Sequence, residues 1–453
     1  MLPFRHDSTS ARRIEVVTKT ALAERVADDA SLKAWVEACG FKASSGSVCF
    51  VPQPGDIAPS VLIGAGEAAD LWTLGGAPFA LPEGDYIIDG GIDGRYAALG
   101  WGLGAYRFDR YKQVERGAAG LVWPDGVDQA EIEALTAAIW QCRDLINTPA
   151  NDLGPAELAD AVVDLGTLFD ASVAVYSGEE LTMSGWPTVH AVGRASDRCP
   201  HVVDLRWGAE DAPKLTIIGK GVVFDSGGLD IKPASGMLLM KKDMGGAAHA
   251  IALARLVMAR QLPVRLRLII PAVENAISGN AFRPGDVLTT RTGMTVEIGN
   301  TDAEGRLILC DAIAAAMEDE PDLVIDYATL TGAARVALGA EVPVLFTNSE
   351  DLAQAFGTAV DRTGDPMWRL PLWQPYNRNL TSTVADVNNV SSGGFGGAIT
   401  AALFLERFVT AGVPWAHVDL MAWNQTDQPG RPKGGEAMAL RATFDMLERR
   451  YAH

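Results

Sequence analysis

The stretch Leu215-Thr-Ile-Ile-Gly219 decides the fold, because it begins a series of short β-rich runs that alternate with helical ones. Further β-rich runs lie at 266–270, 323–327 and 342–346. Helix-like runs separate them at 246–260 and 307–317. Such alternation is typical of an α/β domain built around a largely parallel sheet. Because ligand sites in these sheets gather at the carboxyl ends of strands, polar residues that follow the runs are the first candidates for a site.

The first part of the chain mixes strand-like and helical runs. Val61-Leu-Ile63 and Tyr86-Ile-Ile88 are predicted strands, and residues 32–39 are a predicted helix. A long helix is predicted at 129–146, ending before Pro149 because the residue before a proline avoids the helical region. We therefore predict a small N-terminal α/β domain, a linker helix and a larger second domain, at residues 1–128, 129–147 and 148–453.

Composition and charge exclude several classes of protein. The 453 residues carry a formal net charge of −19, and such an acidic surface argues against nucleic acid and anionic membranes as partners. The five cysteines are scattered and form no CxxC pair, which indicates a reducing compartment. The N-terminus turns polar at once, as no signal peptide does, and no apolar run approaches the ~18 residues of a membrane span. The sequence predicts a cytoplasmic protein.

The octet Asn300-Thr-Asp-Ala-Glu-Gly-Arg-Leu307 concentrates charged residues. If it is extended, Asp302, Glu304 and Arg306 alternate onto one face, with about 6.5 Å between successive members. Two carboxylates at so short a distance repel each other unless a positive charge lies between them. Arg306 could supply that charge in a local ion pair, and a metal ion could supply it instead.

A second charged segment, Gly219–Pro233 followed by 241–246, adds Asp225 and Asp243 among glycines. Several carboxylates with few histidines favour a hard, oxygen-rich site for Mn²⁺, Mg²⁺ or a pair of Zn²⁺ ions. Two such ions can hold and activate one water molecule.

Two lysines in the same segment have two interpretations each. Lys220 could ligate a metal only as the neutral amine, so its pKa would have to fall. Lys232 could remain an ammonium that stabilises negative charge developing on a carbonyl oxygen. The alternative for both is a solvated loop lysine.

Together these residues resemble the cytosolic leucyl aminopeptidase family of metallopeptidases. The family signature, Asn-Thr-Asp-Ala-Glu-Gly-Arg-Leu, stands intact at 300–307, and Gly219–Gly228, Met240–Gly246 and 326–333 match as well. The resemblance is strong over about 143–453 and weak before that. It implies that residues 148–453 form a catalytic metallopeptidase domain, with a mainly parallel twisted sheet flanked by helices. It also implies an enzyme that releases N-terminal amino acids from peptides.

The resemblance implies two divalent metal ions in each subunit, Mn²⁺ or Zn²⁺ with Mg²⁺ as a third candidate. One ion would be held by Asp225, Asp302 and Glu304, including the Asp302 carbonyl. The other would be held by Lys220, Asp225, Asp243 and Glu304. A hydroxide bridging the metals would attack the first peptide bond, and the α-amine of the substrate would bind one metal.

Two further residues and an assembly follow from the same resemblance. Lys232 would stabilise the gem-diolate oxygen, and Arg306 would hold a bicarbonate ion that acts as general base. Members of the family assemble as homohexamers, so we expect a homohexamer that takes peptides with a free N-terminus.

The resemblance also places five residues in the pocket for the N-terminal side chain of the substrate: Met240, Thr329, Gly332, Met421 and Asn424. The chain departs from the best-known members at the last two, where those carry a small residue and a methionine. The preferred N-terminal residue is therefore left open.

Rival readings rest on weaker motifs. Gly64-Ala-Gly66 after a strand, with Ala69 and then Asp89, fits a nicotinamide-dinucleotide motif, although we interpret it as an ordinary strand-to-helix turn. Neither Gly-x-Ser-x-Gly nor His-Glu-x-x-His occurs, and His249 is interpreted as a packed or surface histidine. Residues 391–397 are predicted to form a loop over the cavity, or an anion-binding helix start. A two-metal phosphatase and a DNA-binding protein are the remaining alternatives.

Overall fold

The computed structural model describes residues 2–6, 10–53, 60–113 and 115–451. Within these residues, no helix is both long and apolar enough to cross a membrane. The chain divides into two compact units, 1–140 with 424–434, and 141–423 with 435–453. Each unit is an α/β structure in its own right.

The first unit is built on a six-stranded sheet with the order β1-β6-β5-β2-β4-β3. Its elements are β1 (Phe4–Arg5), β2 (Arg12–Thr18), α1 (Lys19–Ala27), α2 (Ala30–Ala38), β3 (Val48–Val51), β4 (Ser60–Gly66), α3 (Ala77–Ala80), β5 (Asp85–Gly90), α4 (Gly94–Gly104) and β6 (Gly120–Val122). All strand pairs are parallel except β3 with β4. The predicted strands at 61–63 and 86–88 and the predicted helix at 32–39 are confirmed.

The predicted strand-to-helix turn after β4 is wrong. Gly66 ends the strand with φ +69°, and turns rather than a helix follow it until α3 begins at Ala77. A dinucleotide motif needs a helix whose N-terminus faces the pyrophosphate directly after the strand. The Gly64–Gly66 turn therefore lacks the structural context of that motif.

The division between the units differs in detail from the predicted domain limits. The long helix α5 (Gln129–Asn147) is present as predicted, but the division falls inside it, after Trp140. The segment 424–434 also belongs to the first unit, where the Arg431 guanidinium lies 4.9 Å from the centre of the Trp72 ring. Sequence patterning could not reveal this, because the segment joins the unit through contacts with residues more than 300 positions earlier.

The second unit contains most of the regular structure. Its elements are α6 (Pro155–Leu168), β7 (Ser172–Ser177), α7 (Glu180–Met183), α8 (Pro187–Gly193), β8 (His201–Trp207), β9 (Lys214–Gly219), β10 (Gly221–Asp225), α9 (Ala234–Met237), a 3-10 helix (Met240–Met244), α10 (Gly245–Ala259), β11 (Arg265–Asn275), β12 (Val287–Thr289), β13 (Thr295–Glu297), α11 (Gly305–Met317), β14 (Leu323–Ala328), α12 (Gly332–Leu338), β15 (Val344–Thr347), α13 (Glu350–Thr363), β16 (Trp368–Arg369), a 3-10 helix (Gln374–Leu380), β17 (Val387–Asn388), α14 (Gly397–Glu406), β18 (Trp415–Asp419) and α15 (Leu440–Tyr451). Two short strands, β19 (Trp423–Asn424) and β20 (Gly434–Gly435), lie at the ends of the segment 424–434.

The main sheet of the second unit runs β16-β15-β18-β14-β9-β11-β8-β7, with β10 paired to β11. Its central strands β18, β14, β9, β11 and β10 pair in parallel with one another, so the predicted mainly parallel sheet is confirmed. On either side of them, β15 pairs antiparallel with β18 and β8 pairs antiparallel with β11. The central strands consist mostly of buried apolar residues because helices cover the sheet, as parallel sheets require. Helix α10 approaches β14 so closely that a Cβ on Gly246 would stand 2.2 Å from the Tyr327 carbonyl oxygen.

Candidate metal centre

Two of the predicted metal ligands lie at the ends of the neighbouring strands β9 and β10. Lys220 is the single residue between the strands, and Asp225 is the last residue of β10. Both side chains are buried, at 3% and 2% exposure. Because both follow the carboxyl end of a central strand, they emerge where parallel sheets usually bind ligands.

The octet 300–307 is not extended, so the predicted alternation onto one strand face is wrong. Thr301 and Asp302 form a turn, and Glu304 (φ −73°, ψ −35°) immediately precedes the first residue of α11. Arg306 and Leu307 lie in the first turn of α11, where the Leu307 amide donates to the Glu304 carbonyl at 2.9 Å. The acidic residues converge through this turn rather than through strand pleating.

Lys220 lies between two buried carboxylates. Its Nζ is 2.7 Å from Asp243 Oδ2 and 2.9 Å from Glu304 Oε1, and it donates to the Thr329 carbonyl oxygen at 3.2 Å. Burial alone would lower the pKa of Lys220, but the charges of Asp243, Glu304 and Asp225 outweigh it and raise that pKa above its ordinary value. Among these side chains Lys220 is therefore an ammonium, and ligation of a metal would require loss of its proton.

Lys232 joins the other two predicted acidic ligands. Its Nζ is 2.7 Å from Asp225 Oδ2 and also forms an ion pair with Asp302 Oδ1. Burial would lower the pKa of Lys232, but the charge and hydrogen bond of Asp225, with smaller contributions from Asp302 and Glu304, together raise that pKa above its ordinary value. For Asp225 itself, burial raises the pKa of the carboxyl group, and the charge of Asp243 adds to that effect while Lys232 and Lys220 oppose it.

The carboxylates fit a metal centre by two observations. Asp225, Asp302 and Glu304 each place one oxygen so that all three lie within 4.8 Å of one another. Within the described residues, Asp243 Oδ2 and Glu304 Oε1 are buried and have no hydrogen bond beyond the ion pairs with Lys220, and Glu304 Oε2 is buried without a hydrogen-bond donor. Burial and the neighbouring Asp225 charge raise the pKa of Glu304. Buried oxygens that lack donors are costly for the fold, and a bound cation would satisfy them.

Two further side chains hold these ligands in place: Asn275, which the sequence interpretation did not single out, and Thr329, which it placed in the substrate pocket. Asn275, the last residue of β11, donates to Asp225 Oδ1 at 2.8 Å and to the Thr301 carbonyl at 3.1 Å. Thr329 Oγ1 donates to Asp243 Oδ1 at 2.8 Å. Asn275 ends a long apolar strand, so the strand-end rule applied to 266–275 could have found it.

Arg306 is fixed by a residue far along the chain. Its Nη1 donates to the Asn389 carbonyl at 2.6 Å, while its Nε is buried without a partner in the described part of the chain. Burial lowers the pKa of Arg306 to about 10, although the Glu304 charge opposes the shift. The guanidinium therefore stays charged near neutral pH and retains a free donor.

Comparison with known proteins places this site in a family. The model of the catalytic domain of the cytosol aminopeptidase family matches residues 140–444, and the model of the M17 aminopeptidase N-terminal domain matches residues 13–124. The chain belongs to the cytosol aminopeptidase family. It is a metal-dependent aminopeptidase, as the resemblance seen in the sequence implied.

Relatives and solved structures agree with this assignment. A probable cytosol aminopeptidase of Syntrophotalea carbinolica is 40% identical over 76% of this chain and 73% of its own length. The cytosol aminopeptidase of Coxiella burnetii has a similar structure, with TM-score 0.94, 48% identity and 99% of both chains covered. The bottromycin maturation enzyme BotP in complex with Mn has TM-score 0.87 and 36% identity, and 98% of this chain and 100% of that chain are covered.

In this aminopeptidase a cavity of about 450 Å³ opens onto the ligand residues. Its walls include the charged residues already described and three of the five predicted pocket residues, Met240, Thr329 and Gly332. Met421 and Asn424 are not among the described residues that line it, so their predicted role stays a prediction. The Asn424 side-chain amide donates to the Pro432 carbonyl at 3.2 Å, within the segment 424–434.

Other side chains of the aminopeptidase that were weighed from the sequence have structural roles. His249 is packed rather than exposed, with Nδ1 2.6 Å from the Gly245 carbonyl and Nε2 accepting from the Met438 amide at 2.8 Å. The loop 391–396 precedes α14, and Val390 and Gly397, on either side of it, line the cavity.

Proposed function

We propose that this aminopeptidase holds two divalent metal ions through Lys220, Asp225, Asp243, Asp302 and Glu304. The observation that carries the proposal is the convergence of Asp225, Asp302 and Glu304 oxygens within 4.8 Å of one another. The buried oxygens of Asp243 and Glu304 that face the Lys220 ammonium, together with the donor-free Glu304 Oε2, support a second position for a cation there once Lys220 loses its proton. Asp225 and Glu304 contribute to both positions.

Bound there, two divalent ions would supply an activated bridging hydroxide and an anchor for the α-amine of the substrate. An anchored α-amine would explain why such a site removes one residue at a time from a free N-terminus. The oxygen-rich donor set suits Mn²⁺ or Zn²⁺, with Mg²⁺ as a third candidate. The complex of BotP with Mn makes manganese the first ion to test.

Lys232 and Arg306 are the proposed catalytic pair. The Lys232 ammonium lies on the cavity wall beside Asp225, where it would stabilise negative charge on the carbonyl oxygen of the scissile peptide. Arg306 also lines the cavity, and its unpartnered Nε would hold a small anion such as bicarbonate, which serves as the general base. A bicarbonate base would make the rate depend on dissolved carbonate.

We propose further that the enzyme is cytoplasmic and homohexameric. The resemblance to the leucyl aminopeptidase family supports this proposal, as do relatives that are named probable cytosol aminopeptidases. Its net charge of −19 argues against a role on nucleic acid. Light scattering coupled to size-exclusion chromatography would measure the number of subunits, and a monomer would contradict the hexamer.

A panel of aminoacyl-arylamides with Mn²⁺, Mg²⁺, Zn²⁺ or a chelator tests the proposed function. We expect metal-dependent release of the arylamine, near-complete loss on chelation, and loss again in the variant Asp302→Asn. Activity that survives both chelation and Asp302→Asn would contradict the metal mechanism. Equal hydrolysis of N-acetylated and free substrates would contradict anchoring of the α-amine. Elemental analysis of the loaded protein should give two metal ions per chain.

A further inference from the structure

Two cations line the cavity without a carboxylate partner. Lys242 comes from the 3-10 helix Met240–Met244 and is only 1% exposed, and Arg335 comes from α12 and is half-buried. Both belong to the cavity wall. Among the residues that the structure describes, neither side chain forms an ion pair or a hydrogen bond. This distinguishes them from Lys220 and Lys232, which each contact two carboxylates.

The two carboxylates whose charges act on Lys242 are those of Asp243 and Asp419, and both already accept hydrogen bonds from other groups. Asp243 Oδ2 lies 2.7 Å from the Lys220 ammonium, and Asp243 Oδ1 accepts from Thr329 Oγ1 at 2.8 Å. Asp419 is engaged at the start of α12.

Asp419 caps the segment that leads into α12. Its Oδ1 accepts from the Leu330 amide at 3.0 Å and the Thr331 amide at 3.2 Å, and its Oδ2 accepts from Thr331 Oγ1 at 2.6 Å. A buried ammonium with no hydrogen-bonded partner is unfavourable, so a bound anion would gain from both cations.

These cations lie where the N-terminal side chain of a substrate is proposed to bind. Lys242 is two residues from Met240, on the same 3-10 helix. Arg335 Nη2 lies 3.7 Å from the point where a Cβ on Gly332 would stand. Met240 and Gly332 are both proposed pocket residues and both line the cavity.

We propose that Lys242 and Arg335 select peptides whose N-terminal residue carries a side-chain carboxylate, that is, glutamate or aspartate. This inference rests on the proposed aminopeptidase function and names its substrate class. A planar guanidinium and a neighbouring ammonium suit a carboxylate, because the first can bind both oxygens and the second adds a further donor. A neutral residue of the same shape, glutamine, would leave both charges without compensation.

Steady-state kinetics of the metal-loaded enzyme with glutamyl-, glutaminyl- and leucyl-arylamides test the inference. We expect kcat/KM for the glutamyl substrate to exceed that for the glutaminyl substrate by about tenfold or more, since hydrogen bonds to charged groups are strong. Lys242→Met and Arg335→Gln should each lower kcat/KM for the glutamyl substrate by about tenfold, mainly through KM. The ratio of kcat/KM for the glutamyl substrate to that for the glutaminyl substrate should therefore fall by about tenfold in each variant. Circular dichroism spectra and urea midpoints show that the variants are folded.

Lys241→Met is the matched control. Lys241 is the neighbouring residue and carries the same charge, but its Nζ donates to the Asn147 carbonyl at 2.6 Å and it does not line the cavity in the described residues. Its removal should affect glutamyl and glutaminyl substrates equally. Arylamides lack a C-terminal carboxylate, so a parallel assay with the dipeptide Leu-Gly separates the two kinds of anion. If Lys242→Met and Arg335→Gln lost cleavage of Leu-Gly but kept the preference for the glutamyl over the glutaminyl arylamide, the inference would be overturned. The two cations would then bind the C-terminal carboxylate of a dipeptide.

Two outcomes separate this inference from the proposed function. Cleavage of leucyl and glutaminyl substrates with no preference for glutamyl, or equal losses for all substrates in Lys242→Met, would overturn the inference alone. Calorimetric titration with free glutamate and glutamine gives a second measurement. Tighter binding of glutamate that Lys242→Met abolishes, in a protein that cleaves nothing, would contradict only the proposed function.

Discussion

Two buried polar clusters of the second unit differ in how their carboxylates are satisfied. In the sheet cluster, formed by Asp326, Trp415 and His417, both Asp326 oxygens accept a hydrogen bond, from Trp415 Nε1 at 2.7 Å and from His417 Nδ1 at 2.5 Å. In the ligand cluster, formed by Lys220, Asp225, Asp243, Asp302 and Glu304, two buried carboxylate oxygens share the single ammonium of Lys220, and Glu304 Oε2 accepts no hydrogen bond in the described residues.

The difference indicates what each cluster does. The sheet cluster joins β14 to β18 and leaves no carboxylate oxygen for a further partner, although His417 Nε2 is buried without one. The ligand cluster has fewer donors than carboxylate oxygens, and a cation or an added proton would satisfy the donor-free Glu304 Oε2. A satisfied buried carboxylate therefore indicates a role in stability here, and unsatisfied ones indicate a role in binding.

Glu304→Gln should have the largest effect, and it tests whether the ligand cluster serves activity rather than stability. Replacing this carboxylate with a neutral amide removes a proposed bridging ligand, so kcat/KM should fall by more than about 10³-fold, or about 4 kcal/mol of transition-state stabilisation. The free energy of unfolding should change by less than about 1 kcal/mol, because the amide removes a buried charge while Lys220 retains Asp243. Arylamidase assays and urea unfolding measure the two quantities. A large loss of stability with activity retained would reverse the assignment.

Asp326→Asn should give the opposite pattern. The amide cannot carry the charge that pairs with His417, so the free energy of unfolding should fall by about 3 kcal/mol, as expected for breaking a buried pair. Activity per folded molecule should remain close to that of the unchanged enzyme. Asp386→Asn is the control, since Asp386 also accepts two hydrogen bonds from Thr295 but is exposed, and it should shift the urea midpoint far less.

The pH dependence of unfolding extends the comparison to His249. Burial lowers the pKa of His249 to about 4, while hydrogen bonding to Gly245 opposes the shift. Because the folded pKa lies below the unfolded value of about 6.5, the folded protein binds fewer protons, and stability falls as pH drops from about 6.5 to about 4. Between pH 8 and pH 5 this group should contribute a loss of about 2 kcal/mol. Urea midpoints of the enzyme and of His249→Gln measure it, and an unchanged pH slope in the variant would contradict the assignment.

Gly305→Ala tests the packing that holds the ligand cluster. A Cβ on Gly305 would stand 2.5 Å from Lys220 Cε, so the lysine would have to move. We expect kcat/KM to fall by about tenfold, or about 1.4 kcal/mol. Gly357→Ala is the control, because Gly357 lies in α13 with open space around it and alanine should stabilise the helix there by about 0.5–1 kcal/mol. Equal activity of Gly305→Ala and the unchanged enzyme would contradict the steric argument.

Local patterns predicted most elements of the molecule. The apolar runs at 215–219, 266–270 and 323–327 became β9, β11 and β14, extended by one to six residues where neighbouring strands continued the pairing. The octet was the exception in conformation. Its charged residues at every second position fit a strand, but the preference of the following apolar run for a helix determined the outcome, and α11 begins at Gly305.

The sequence predicted some residues of the candidate site and missed others. Lys220, Asp225 and Glu304 stand in a distinctive motif, and the structure brings them together. Lys242 was not singled out, because one lysine in a row of charged residues resembles a solvated one until the fold shows its burial. Met421 and Asn424 were proposed by resemblance alone.

The sequence by itself determined the family, the alternation of strands and helices, and the chemical types of the ligands, because these depend on local periodicity and on contiguous motifs. Only the tertiary structure decided which polar groups meet. Asn275 reaches Asp225, and Asn389 fixes Arg306, because the sheet order and the loops bring distant parts of the chain to one edge. Tertiary structure also decided that Lys242 and Arg335 keep uncompensated charges beside the substrate cavity, since burial and the prior engagement of Asp243 and Asp419 are properties of packing.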